Sequence, residues 1–370
     1  MKIISFSEAL SLYLDAPLEE LRSMADTARY SHIPQQRVSW QIDRNVNITN
    51  ACVSGCRFCN FHCKPVEKEK IFVTTLDQYK SKIAEMRRLG GDQLLLQGGL
   101  HPELDVIYYE NLFRELKRME PSLKLNALGP PEIAFISRIS GISCEETLSR
   151  LHEAGLDTLP GAGAEILSDR VRRIISPGKP TAKEWCSVME IAHKMGIGTT
   201  ATMVYGHIET MEERIAHLFT IRDLQGRKPE GVPGFRAFIG WPMQLKGTRL
   251  AVMMEEKGLQ LPRVEYGWSK EEEFLRTMAI SRIVLHNITH IQASWLTVGM
   301  KTAKKSLHYG ADDMGSIMIE ENVVSAAGTS NTMTAEGMQK AIREAGFEPW
   351  LRRQDYSPVD PSKLRSQAIS

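Results

Sequence analysis

The residues best suited to chemistry sit together near the start of the chain. Cys52, Cys56 and Cys59 fall as C-x3-C-x2-C, and Cys63 follows within the stretch ITNACVSGCRFCNFHCK, Ile48 to Lys64, so four of the six cysteines share one short segment. In a reducing compartment such a group is a metal or redox site rather than a disulfide framework. Three arrangements are open. The cysteines could be small buried hydrophobes, although Gly55, Arg57 and Asn60 interleave with them as in a loop. A zinc site normally takes four ligands, often as two separated pairs; Cys63 could be a fourth, but a second pair is missing. Three thiolates can also hold three irons of a four-iron cluster and leave the fourth iron open for a ligand. Cys144 and Cys186 fall in helix-forming stretches and read as packing residues.

A loop of this kind needs a scaffold, and composition bounds it. The chain has 370 residues, 42% hydrophobic and 25% charged, with a formal net charge of +1. These values describe an ordinary globular protein with no basic surface for nucleic acid. The N-terminus MKIISFSEALSLYLDAPLEEL gains acidic residues at once and shows no apolar core followed by a small-residue cleavage site, so no secretory signal is expected. No run has the apolar length of a membrane span. The expectation is a cytoplasmic protein with neither nucleic-acid nor membrane partners.

Short apolar runs then recur along the chain: NVNIT at 45, QLLLQ at 93, LKLNAL at 123, DTLP at 157, TTATMVY at 199, FRAFIG at 235, HIQAS at 290 and SIMI at 316. Each has the length and texture of a buried parallel strand. Between them lie segments opening on Ser or Thr with Glu or Gln three residues later, as at Thr75, Ser143, Thr181, Thr210 and Ser269. That spacing is the capping box, which satisfies free amides at a helix start. Gly90, Gly155 and Gly196 stand where helices should stop. Eight strands alternating with helices predict an α/β fold, a (β/α)8 TIM-type barrel, over residues 41–370 with a C-terminal helical segment. A doubly wound open sheet would give much the same alternation. Residues 1–40, with Ser5 and Glu8 opening a helix, read as an N-terminal helical extension.

Barrels of this type work at the C-terminal ends of their strands, and the cysteine stretch follows the first of them. Gln97, Gly98 and Gly99 end the second, Glu165 follows the fourth, and Tyr205, Gly206 and Glu209 end the fifth. Each has a plain structural reading as well: Gly98-Gly99 a tight turn, Glu165 and Glu209 first-turn acids favoured by the helix dipole. His101 and His207 also fall at strand ends, and Glu320, Glu321 and Asn322 follow the eighth strand, where a helix-opening acid pair is the alternative.

The C-x3-C-x2-C spacing after strand one, with the aromatic Phe58 before the last cysteine, resembles the signature of the radical S-adenosylmethionine (SAM) superfamily. That resemblance implies that Cys52, Cys56 and Cys59 ligate a [4Fe-4S] cluster whose open iron chelates the amino and carboxylate groups of SAM. One electron then cleaves SAM to methionine and a 5'-deoxyadenosyl radical. It also implies cofactor-binding roles for Phe58, Gln97, Gly98, Gly99, Glu165, Gly206 and Glu209. ALGPPEI, LPGAGAEILSDRVRRIISP, TTATMVYGHIETMEERIAHL, IQASWLTVGMK and GADDMGSIMIEENVVSAAG are similar, across roughly residues 40–350, to the cyclic dehypoxanthinyl futalosine synthase family of menaquinone biosynthesis. Its sister family, aminofutalosine synthase, is the alternative. The resemblance implies removal of hydrogen from C4' of the ribose of dehypoxanthine futalosine and addition of the carbon radical to the benzoate ring. It further implies a low-potential electron donor such as flavodoxin or ferredoxin. Tyr205, Glu321 and Asn322 are the candidates for holding the folded substrate. Relatives of this kind usually read CAFYR from the third cysteine, whereas this chain reads CNFHCKP. Phe61 keeps the aromatic, adenine-facing position, and Cys63 becomes either an inert neighbour or an alternative ligand. A radical enzyme acting on RNA and a noncatalytic iron-sulfur or zinc protein are the readings outside this branch.

Overall fold

The computed structural model describes residues 3–320 and 333–359. Ten parallel strands make one sheet: β1 (Arg37–Gln41), β2 (Asp43–Asn47), β3 (Gln93–Gln97), β4 (Lys124–Ala127), β5 (Thr158–Leu159), β6 (Gly198–Tyr205), β7 (Phe235–Pro242), β8 (His290–Gln292), β9 (Asp313–Ser316) and β10 (Glu348–Leu351). Their order is β10-β1-β9-β8-β7-β6-β5-β4-β3-β2, so from β2 to β9 every neighbour in the sheet is also the neighbour in sequence. That is the winding of a TIM-type barrel.

The seam of the barrel is a bent strand. Only Ile42 separates β1 from β2, yet β1 pairs with β9 and β10 while β2 pairs with β3. The chain itself therefore carries the curl across the gap. Asp43 N–H donates to Ser316 Oγ at 3.3 Å and Ile317 N–H to Gln41 O at 3.2 Å, which ties β9 to the bend. β10 flanks β1 on its free edge. From its end, Arg352 reaches Asp313 at 2.5 Å and the Gln354 amide reaches the Thr158 hydroxyl, so the C-terminal segment closes the N-terminal end of the barrel.

Helices cover the outside for the reasons the sequence suggests. Thr75, Thr181 and Thr210 complete both halves of the capping box, whereas Ser143 and Ser269 make only the side-chain half. Gly90, Gly155 and Gly196 follow helix ends at positive φ. The helices Phe6–Asp15 and Leu18–His32 lie against Lys270–Val284, which is buried from Glu273 to Val284 because it is sandwiched between these helices and the sheet. Tyr13 fixes this layer through a 2.8 Å bond between its hydroxyl and Thr277 Oγ1.

Candidate active site

The cysteine loop leaves β2 after Asn47 and is fastened at several points. Cys52 N–H donates to Cys63 O at 2.9 Å and Cys63 N–H to Asn50 O at 2.8 Å, closing the loop on itself. Val53 N–H donates to Leu100 O at 3.1 Å and Arg57 N–H to Ile175 O at 2.8 Å, anchoring it to the ends of two further strand-helix units. Gly55 adopts φ +64, a left-handed turn that a Cβ would oppose. The result is that Cys52, Cys56 and Cys59 all line one cavity of about 460 Å³ in the mouth and lumen of the barrel. Cys63 does not line it. Its thiol lies 3.6 Å from Lys64 O and 3.7 Å from Glu67 O, on the far side of the loop.

Polar groups already attend the three thiols. Leu100 N–H points at Cys52 Sγ at 3.3 Å, and Ser54 Oγ sits 2.9 Å from Cys52 Sγ and 3.3 Å from Cys56 Sγ. Burial pushes the Cys56 thiol up to about 11, against the opposing charge of Lys179. At Cys59 burial also acts upward, but hydrogen bonds from His62 and the Phe61 amide outweigh it and lower the thiol below its usual range. Amides and a hydroxyl aimed at sulfur are what a bound thiolate cluster uses, so these residues fit one.

The strand ends supply the rest of the rim. Phe58, Phe61, Gln97, Gly98, Gly99 and Glu165 all line the same cavity as the thiols. The glycine pair is not a left-handed turn. A Cβ on Gly99 would sit 2.1 Å from Ala51 O, and one on Gly98 would meet Thr49 at 3.2 Å. These positions are glycine because β3 passes against the cysteine loop. Glu165 is buried at φ +40, a strained conformation for a residue with a side chain. Lys179 Nζ donates to its Oε1 at 2.7 Å. Its Oε2 has no hydrogen-bond partner among the described residues, though the Arg172 guanidinium stands 3.6 Å away. A buried carboxylate oxygen facing a cavity without a donor fits the ammonium or hydroxyl groups of SAM.

Other expected residues lie outside the cavity lining or outside the described residues. Tyr205 does not line the cavity: Thr200, Thr202 and Val204 point inward from β6, so by strand alternation Tyr205 points outward. Its ring is fully buried under the Arg214 guanidinium, 4.5 Å away. Gly206 and Glu209 also lie outside the cavity lining. Glu209 accepts from Gly206 N at 2.6 Å, His207 N at 2.9 Å and Arg214 at 2.6 Å, which together hold its carboxyl down at about 2 despite burial. This is a structural knot at the end of β6. His207 is buried, donating from Nε2 to Val204 O at 3.1 Å, and His101 accepts from Glu103 N; neither faces the cavity. Glu320 pairs with Arg44 and Lys82. Glu321 and Asn322 lie outside the described residues.

Sequence reading missed the lumen. Besides Gln97, which the sequence did single out, Asn45, Asn47, Gln93, Asn126 and Gln292 line it, so the wall presents carboxamides from β2, β3, β4 and β8. Asn45 Oδ1 and Gln93 Oε1 are buried without a partner among the described residues. Trp241 and Trp295 add flat apolar surface near the mouth. The signal was present in β2, where DRNVN places Asp43, Asn45 and Asn47 at every second position of a buried strand.

Comparison with known proteins agrees with this geometry. Residues 46–221 match the radical SAM superfamily and residues 232–364 match the CofH/MqnC C-terminal region. The chain is 42% identical to a cyclic dehypoxanthine futalosine synthase of Streptomyces coelicolor over 95% of its length and 85% of the relative's. It is 39% identical to the synthase of the same name from Halalkalibacterium halodurans, covering 96% and 91%. A 5-amino-6-(D-ribitylamino)uracil–L-tyrosine 4-hydroxyphenyl transferase of Methanosarcina barkeri is 36% identical, covering 95% and 88%. The fold is shared with methylornithine synthase, at a TM-score of 0.67 and 15% identity over 99% of this chain and 97% of that one. The chain belongs to the family of radical SAM enzymes that includes these synthases and transferases, enzymes that work with a [4Fe-4S] cluster and S-adenosylmethionine.

Proposed function

We propose that the chain is a cyclic dehypoxanthine futalosine synthase, joining the ribose C4' carbon of dehypoxanthine futalosine to the attached benzoate ring in menaquinone biosynthesis. The observation that carries this reading is near-full-length identity of 42% to a synthase of that name, above the 36% and 40% shared with transferases. The lumen supports it chemically. Carboxamides offer both a donor and an acceptor, which suits the hydroxyls of a ribose, and Trp241 and Trp295 offer faces to an aromatic ring.

In this reading Cys52, Cys56 and Cys59 hold the cluster, while Gln97, the Gly98-Gly99 backbone and Glu165 hold the polar groups of SAM, with Phe58 and Phe61 walling the adenosyl side. When bound, the cluster and SAM supply a carbon radical able to abstract hydrogen. The barrel wall orients the ribose toward the thiol loop and keeps water and other C–H bonds away. Holding the benzoate folded over the ribose is a proximity effect, worth on the order of 7 to 11 kcal/mol in well-oriented intramolecular reactions. Glu321 and Asn322 are proposed contributors to that hold. The electron comes from a low-potential protein such as flavodoxin or ferredoxin, and the setting is the cytoplasm; among the described residues no helix is long and apolar enough to cross a membrane.

The test is an anaerobic reaction of the reconstituted protein with substrate deuterated at C4'. The label is expected in 5'-deoxyadenosine, together with a spirocyclic product by mass analysis. Deuterium retained in the substrate while the enol-ether substrate of aminofutalosine synthase is consumed would give the sister reaction its place. Consumption of L-tyrosine with 5-amino-6-(D-ribitylamino)uracil would assign the chain to the transferases.

A further inference from the structure

We propose that Lys179 is the cation that lets the site accept its electron, standing against the thiolates so that the cluster is easier to reduce. The inference rests on the ligand assignment of Cys52, Cys56 and Cys59 above. Its ground is how firmly the segment carrying Lys179 is fastened to the cysteine loop. Gly178 N–H donates to Ser54 O at 2.9 Å, and a Cβ on Gly178 would fall 2.7 Å from that oxygen and 2.8 Å from Ser54 Cα. Only glycine permits this approach, and Ser54 is the residue whose hydroxyl bridges the sulfurs of Cys52 and Cys56. Arg172, itself buried, secures the other side of the segment. Its guanidinium donates to Pro180 O at 2.6 and 2.8 Å, to Gly163 O at 3.0 Å and to Ala164 O at 2.7 Å.

Lys179 therefore faces the cavity beside Cys56 and does not swing free. Its ammonium is 2.7 Å from Glu165 Oε1 and 5.5 Å from the centre of the Phe58 ring. The Glu165 carboxylate pairs with its ammonium and holds it in place on this wall. Arg172 commits its guanidinium to backbone carbonyls and stays out of the cavity lining, so among the described residues Lys179 is the cation that this wall turns to the cavity. Reduction adds one electron and no proton to the cluster, the electron coming from a one-electron reductant. The added negative charge is stabilised by a fixed cation. Even about 12 Å away at an effective dielectric near 20, one unit charge changes the reduced-to-oxidised ratio about tenfold.

The experiment compares wild type, Lys179→Met, Lys179→Arg and Glu165→Gln, each reconstituted anaerobically and assayed for iron and sulfide. Each is then titrated against solution potential, with the reduced cluster read by electron paramagnetic resonance in the absence of SAM and substrate. At the wild-type midpoint the reduced-to-oxidised ratio should fall about tenfold in Lys179→Met and return in Lys179→Arg. It should rise in Glu165→Gln, which removes a negative charge from the same pair. An unchanged ratio in fully loaded Lys179→Met overturns the proposal. If that variant does not load, an unchanged ratio in Glu165→Gln overturns it equally. Failure of wild type to hold four irons through its three cysteines overturns the ligand assignment instead, so the two failures are distinguishable.

Discussion

Gly99→Ala perturbs the site without touching a charge or a sulfur atom. The added Cβ would lie 2.1 Å from the Ala51 carbonyl oxygen, 2.7 Å from its carbon and 2.8 Å from Cys52 Cβ. Comfortable separations are about 3.5 to 4 Å, so one segment must move by roughly 1.5 Å. Neither yields easily, because Gly99 N–H bonds Thr49 O at 2.9 Å, Val53 N–H bonds Leu100 O at 3.1 Å, and Leu100 N–H points at Cys52 Sγ at 3.3 Å. Overpacking of this kind costs about 1 to 3 kcal/mol. With an unfolding entropy of about 2.1 cal/mol/K per residue over 370 residues, that lowers the melting temperature by only about 1 to 4 °C. The effect on the site is larger, because Cys52 moves with Ala51 and three thiols must meet one cluster. Iron and sulfide per chain after anaerobic reconstitution should fall sharply in Gly99→Ala. Gly98→Ala, whose nearest contacts would be 3.2 to 3.3 Å, should bind nearly as much iron as wild type. Full loading and an unshifted melting temperature in Gly99→Ala would refute the argument that close approach, and not a ligand contact, requires glycine there.

Three further outcomes are expected. Cys63→Ala should retain a full complement of iron while Cys52→Ala, Cys56→Ala and Cys59→Ala each lose the cluster, because the Cys63 thiol faces Glu67 and not the cavity; iron loss in Cys63→Ala alone would reverse this. Glu165→Gln should weaken SAM binding roughly ten- to a hundredfold, the worth of a charged hydrogen bond at about 1.5 to 3 kcal/mol, with binding measured calorimetrically on loaded protein. Burial holds His193 and His217 down at about 4 and about 3, so between about pH 6.5 and those values the unfolded chain binds more protons and stability falls as pH falls. Urea titrations across that range should show the decline, and His217→Gln should make it shallower by the contribution of one proton.

The strands were legible where apolar residues crowd both faces. QLLLQ coincides with β3, and TTATMVY and FRAFIG fall within β6 and β7. Two strands escaped notice for a shared reason. RVSWQ and EPWL pair with each other at the seam, and neither is continuously apolar; β10 carries Pro349, which an edge position tolerates. β9 was placed three residues late, at SIMI, because its true start is Asp313, a buried charge that the distant Arg352 and Ser39, together with the Gly315 amide, make acceptable. No local pattern announces a partner at residue 352.

The site divides along the same line. The cysteine spacing is a local signal, and it led to the thiols that line the cavity. Tyr205 was a failure of parity. In TTATMVY the polar Thr200 and Thr202 lie two apart, and a barrel lumen that must hold a polar ligand takes polar positions inward. Counting on from them puts Val204 inward and Tyr205 outward, where its ring meets Arg214 and not a substrate. The same count on DRNVN makes Asp43, Asn45 and Asn47 lumen residues. Read for hydrophobicity alone, such strands look weak. For an enzyme that works inside its own barrel, the weakness is the signal, since the positions that lower a strand's apolar character are those available to hold a ligand.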